Sequence, residues 1–280
     1  MSIKIITDSA SDMGAAARDG LEILPMTITF GEQEFKDGVD LSHHEFYEKL
    51  VEGDELPRTS QITPFAFEEA FQKAVQEGQE VVVITMSAKL SGTWQSAVTA
   101  AEEYEGKVFV VDSENVTVGE RVLVEYALRL RQEGLSAHDI AQKLEKVKKK
   151  VRLVALLDTL EYLKKGGRVS KAVAFAGGLL SIKPVVAVQD GEVVILGKAR
   201  GSRQGNNLLV QQIQQTGGID FSMPHVLGYT GLSDALLKKY INDSEDLWKH
   251  GVEHLEIGTV GGTIGTHVGP GAIAVAFFSL

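Results

Sequence analysis

The chain has 280 residues, no cysteine, 44% hydrophobic residues and a formal net charge of −10. That length suits two compact domains or one large one. The acidic balance argues against a nucleic-acid partner, which leaves a basic footprint. The lack of cysteine excludes disulfides, thiolate catalysis and thiolate metal sites.

Residues 1–10 lack the basic region and long apolar stretch of a signal peptide. No apolar run approaches the ~20 residues that span a bilayer. A cytoplasmic protein without a membrane span is therefore expected, with a monomer as the default.

In chain order, Ile3-Lys4-Ile5-Ile6 reads as a buried strand, followed by a loop at 8–12. Arg58-Thr59-Ser60-Gln61 reads as a polar loop before a helix at 65–76, with Thr63 as its cap and Pro64 in its first turn. Val81-Val82-Val83-Ile84 is a second strand, followed by a Ser/Gly loop and a helix at 93–104. Val108-Phe109-Val110-Val111 is a third strand, and helical patterns follow at 116–132 and 137–149. Strands alternating with helices predict a parallel sheet with helices on its faces. Ligands on such sheets sit beyond the carboxyl ends of the strands. Asp8-Ser9, 87–91 and Asp112-Ser113 would line that edge.

The lysine-rich stretch 146–150 marks a domain boundary, giving an N-terminal α/β domain over 1–150 and a C-terminal α+β domain over 151–280. Strands are expected at 151–157, 184–188, 193–198, 226–229, 255–259 and 272–278, and helices at 201–215 and 232–250.

The segment Ser87 to Trp94 follows a strand and opens a helix. Helix N-termini bind anions through unpaired N–H groups and the positive dipole end. Ser91 is either an added donor there or simply an N-cap. The glycine-rich stretch 261–271 permits close approach to a ligand, and His267 within it stands at the approach to the last strand. That histidine is either structural or ligand-facing. Residues 269–274 formally fit a dinucleotide-binding pattern, but they precede a strand rather than a helix, so the match is rejected. The stretch 172–180, with Phe175, is core or a lid over an apolar cavity. The adjacent His43 and His44 read as surface residues, and the histidines show no metal-site spacing. There is no G-x-S-x-G elbow and no phosphate-cradling loop.

Taken in order, Thr7-Asp8-Ser9, Thr59-Ser60-Gln61, Leu90-Ser91-Gly92-Thr93, Leu160-Glu161-Tyr162-Leu163 with Gly167-Arg168-Val169, Ile182-Lys183-Pro184, Lys198-Ala199-Arg200 and His267-Val268-Gly269-Pro270-Gly271 resemble the DegV family. They span nearly the whole chain. The family often has Pro directly after Thr-Ser-Gln, where this chain has Ile62, and Thr where this chain has Gly201.

The resemblance implies a two-domain carrier with a long-chain fatty acid such as palmitate between its domains, and no other cofactor. Thr59 and Ser91 would hold the carboxylate, with His267 nearby and in protonated form if charged help is needed. Ser60, Gly92, Thr93, Gly265 and Phe175 would line the site, and no residue would be catalytic. Arg168, Arg200 and Arg203 would be docking charges for a separate fatty-acid kinase, which makes an acyl-phosphate for lipid metabolism; scattered surface cations explain them equally. The competing reading is an acyl hydrolase using Ser91 and His267, with Asp8 or Asp112 orienting the histidine.

Overall fold

The computed structural model describes residues 2–14, 18–53, 55–169, 182–249 and 254–280. The chain begins with β1 (Ser2–Asp8), a 3-10 turn (Ser9–Ser11), β2 (Leu21–Leu24), β3 (Thr27–Phe30), β4 (Gln33–Lys36), α1 (His43–Glu52) and β5 (Arg58–Ser60). It continues through α2 (Pro64–Gln76), β6 (Gln79–Thr85), α3 (Thr93–Ala101), β7 (Val108–Asp112), α4 (Thr117–Gln132) and α5 (Ala137–Val147). Then follow β8 (Val151–Leu156), α6 (Glu161–Lys165), β9 (Ile182–Gln189), β10 (Glu192–Arg200), α7 (Gly201–Gln215) and β11 (Val226–Tyr229). The last elements are α8 (Ala235–Asp243), α9 (Glu245–Trp248), β12 (Ile257–Thr259), α10 (Gly262–Val268) and β13 (Ile273–Phe278).

This is an α/β fold. Strands β2, β1, β6 and β7 form a parallel sheet in that order. Val81, Val82, Val83 and Ile84 are all at 0% exposure, so helices cover both faces. That explains why β6 reads as an unbroken apolar run rather than an alternating one. The second sheet has the order β10-β9-β8-β13-β11-β12, antiparallel throughout except for the β11–β12 pair.

Helix starts follow local chemistry. Thr63 caps α2 through the Ala66 N–H, with Pro64 in the first turn. Ser42 and Glu45 form a reciprocal capping box on α1.

Several expectations need correction. Arg58–Ser60 is not a loop but the edge strand of a small antiparallel sheet, β4-β3-β5, which the sequence reading missed together with β2 and α1. Its strands are three or four residues long, and β4 is mostly exposed, so they carry no apolar run. The helix expected over 232–250 is broken at Ser244, whose hydroxyl bonds the Tyr240 carbonyl and accepts from Trp248 Nε1. The helix expected to reach 149 ends at Val147 and tightens into a 3-10 turn (Lys148–Lys150). The glycine-rich stretch contains a helix, α10, so His267 lies in a last helical turn rather than at a strand entrance. Among the described residues no helix is long and apolar enough to cross a membrane.

Candidate functional site

A cavity of about 350 Å³ opens between β5, the N-terminus of α3, and α10. Thr59, Ser60, Ser91, Gly92, Arg168 and His267 line its polar end. Its other walls include Met26, Met86, Leu90, Val116, Leu163, Val193 and Ile264. Val116, Leu163, Val193, Ile264 and Val268 are shared with a narrower apolar arm of about 60 Å³. That arm runs along the inner face of the second sheet, past Leu153, Ala155, Val186 and Ala274.

Each polar side chain is placed by a different element. Pairing of β5 with β3 sets Thr59 opposite Ile28. Thr59 Oγ1 lies 3.0 Å from His267 Nε2. Ser91 stands just before α3, whose N-cap residue is Gly92. Its Oγ accepts from the Thr93 N–H at 3.2 Å and lies 2.9 Å from Thr93 Oγ1. Ser91 thus serves the helix start and still borders the cavity.

The two hydroxyls share a property. His267 is largely buried, which pushes its pKa down to about 4, and the nearby Arg168 charge pushes the same way. The imidazole is therefore neutral at neutral pH in this structure, so the ring is not a charged donor here. Its Nδ1 is buried and has no hydrogen-bond partner among the described residues. Placing the ring proton on Nε2 leaves only a lone pair unpaired, which costs less than an orphaned N–H. Nε2–H then donates to Thr59 Oγ1, and the Thr59 O–H is free to donate into the cavity. On the other wall, Thr93 Oγ1 accepts from the Ile62 N–H at 3.4 Å and can donate to Ser91 Oγ. The Ser91 O–H is then free in the same way. Two neutral donors and the positive end of α3 face one chamber.

Two residues expected in the lining lie elsewhere. Thr93 is fully buried behind Ser91. Gly265 faces away from the chamber, where a Cβ would come within 2.6 Å of Phe46 and 2.7 Å of the Tyr47 hydroxyl. Phe175, and the stretch 172–180 around it, lies outside the described residues. Arg168 borders the chamber and donates to the carbonyls of Leu90 (3.3 Å) and Gly166 (2.6 Å). Arg200 and Arg203 are exposed and do not line it. His43 is not a surface residue as expected, because it packs against Gly261 beside Asp12; His44 is exposed.

The hydrolase arrangement is not assembled. His267 bonds Thr59, not Ser91. Asp8 is spent on the Met86 and Ala10 N–H groups at 2.8 and 3.0 Å, and burial lifts its pKa to about 7. Asp112 accepts from the Glu114 and Ala88 N–H groups. Among the described residues no carboxylate orients the ring as a general base requires. Among the described residues no group of three or more metal-ligating side chains is placed to hold an ion.

Known proteins bear on this geometry. A DegV domain-containing protein of Caldanaerobacter subterraneus subsp. tengcongensis is 34% identical, over 98% of each chain. A fatty-acid-binding DegV family protein of Thermus thermophilus superposes with a TM-score of 0.89 at 31% identity, covering 100% of both chains. A fatty-acid-binding DegV family protein of Streptococcus agalactiae gives a TM-score of 0.85 at 26% identity, covering 100% of this chain and 99% of that one. The family described as "uncharacterised protein, DegV family" matches residues 2–280, and the chain belongs to the DegV family.

Proposed function

We propose that this protein binds a long-chain fatty acid and carries it as a ligand rather than transforming it. The observation that carries this reading is one chamber with the Thr59 and Ser91 hydroxyls at its polar end and an apolar arm leading away from them. The fatty-acid-binding relatives of the same fold support it.

The energetics favour such a ligand. Each buried methylene contributes about 0.8 kcal/mol, so a sixteen-carbon tail offers on the order of 10 kcal/mol before association costs. A buried carboxylate is expensive unless hydrogen-bonded. The Thr59 and Ser91 hydroxyls offset that cost as charge-assisted donors, and His267 acts behind Thr59 by filling its acceptor side. Arg168 stands at the same end, but its guanidinium donates to the Leu90 and Gly166 carbonyls, so the grip rests on neutral hydroxyls and release stays feasible. A carboxylate held by neutral donors also keeps an oxygen free to attack a phosphoryl donor. The sequence carries no phosphate-cradling loop, so that step falls to a separate fatty-acid kinase, with Arg168 at the chamber as a docking charge.

Native mass spectrometry of the purified protein, followed by lipid extraction, tests this. Stoichiometric C14–C18 acids released on denaturation are expected, with no turnover of acyl esters. A protein that holds no acid, even after incubation with palmitate, would refute the reading.

A further inference from the structure

The grip proposed above depends on where α10 holds the His267 ring, and α10 is a short helix with an unusual support. It has seven residues, and its N-cap Gly261 supplies no side-chain cap. The missing cap comes from Asp37, the residue after β4. Its Oδ1 accepts from the Gly262 N–H at 3.1 Å. Its Oδ2 accepts from the Thr263 N–H at 3.1 Å, the Thr263 hydroxyl at 2.6 Å and the Ser9 hydroxyl at 3.2 Å. Four donors and the positive end of the helix are what a buried carboxylate needs, and Asp37 is only 3% exposed.

The same small sheet holds the other end of this helix. Strand β3 pairs with β4 on one side and β5 on the other. The β4 side delivers Asp37 to the first turn of α10, and β5 delivers Thr59 to His267 in the last turn. Between them, a Cβ on Gly262 or Gly265 would meet the Phe46 ring at 2.8 or 2.6 Å. The helix therefore lies flat on α1, and rolling is blocked. Sliding along its axis is set by the bonds at its first turn.

We propose that Asp37 is a positioning residue for the fatty-acid grip: it touches no ligand, but by capping α10 it sets the His267 ring against Thr59. This inference rests on the fatty-acid reading for its effect on release, but not for its effect on the ring.

The test is Asp37→Asn in the full-length protein, which keeps the shape but turns an amide group toward donors. Nitrogen and proton NMR signals of the His267 ring should move in both the delipidated and the palmitate-loaded protein. Palmitate release should quicken about tenfold, as expected for lost hydrogen bonds at a charged group. The factor should be the same for C14 and C18 acids, since the tail is untouched. Thr263→Val keeps the wall shape and removes one donor; it should move the same signals less, and it decides the matter if Asp37→Asn does not fold. Unmoved His267 signals in the folded variants would overturn the proposal, as would faster release without any change at the ring. If the protein binds no fatty acid at all, the function reading fails while the ring signals still decide the role of Asp37.

Discussion

Thr59 and His267 stand 208 positions apart in the chain and 3.0 Å apart in the structure. Their bond joins the small sheet to the helix before the last strand, at the polar end of the chamber. With the ring proton on Nε2, the neutral ring donates to Thr59 and leaves the threonine hydroxyl to donate onward.

Removing either hydroxyl should weaken retention without unfolding the protein. Thr59→Val and Ser91→Ala should each cost about 0.5–3 kcal/mol of fatty-acid affinity, the span from a typical hydrogen bond to one made to a charged group. Competition binding with a fluorescent fatty acid, beside thermal melts, measures both quantities. Unchanged affinity in both variants would remove the assigned head-group site.

Gly166 supports the ring from the other side. A Cβ there would run into His267 Nδ1 and come within 3.2 Å of the Tyr162 carbonyl. The backbone at Gly166 is right-handed helical, so alanine is allowed on conformational grounds. Gly166→Ala should therefore act through the ring, with weaker fatty-acid retention and shifted His267 signals. Retention equal to the parent protein would show that the ring can move without consequence.

The pH dependence of stability carries a signature of His267. Its pKa is about 4 in the folded protein and 6.5 ordinarily. Between those values the unfolded chain binds a proton that the folded chain does not, so this histidine lowers stability as pH falls from about 6.5 to about 4. Asp8 and Asp12, raised by burial to about 7 and about 8, tilt stability the opposite way over the range above their ordinary values. A comparison with His267→Gln cancels their effect. The stability difference between parent and variant in urea should shift against the parent from pH 7 to pH 4.5. A difference that stays constant with pH would mean that the ring is not held neutral.

The apolar arm predicts a chain-length effect. Ala155 and Ala274 are small residues on its wall. Ala155→Leu should fill part of the arm, at a folding cost of about 1–3 kcal/mol for overpacking. Acids extracted from the variant should shift toward shorter chains. An unaltered C16–C18 profile would place the tail elsewhere.

The strands at 81–84, 108–111 and 226–229 were legible because short, largely apolar runs between polar segments announce buried strands. Thr59, Ser91 and His267 stood out through local polarity and the order of short segments. The lower walls did not: Val116, Leu163, Val193 and Ile264 look like ordinary core residues, and only the three-dimensional packing turns them toward a chamber. Asp37 gave no signal, because an acidic residue before a glycine reads as a turn. Its role arises from a helix 225 positions away. The helix in the glycine-rich stretch was missed for the same reason, since its support comes from Asp37 and from the rings of Phe46 and Tyr47 rather than from its own residues.

The most direct measurement is a crystal structure of the protein loaded with hexadecanoic acid. Carboxylate oxygens within about 3 Å of both Thr59 Oγ1 and Ser91 Oγ, with the tail entering the arm beside Ala155 and Ala274, are what this account predicts. A carboxylate bound away from those hydroxyls, or a tail lying outside the arm, would contradict it.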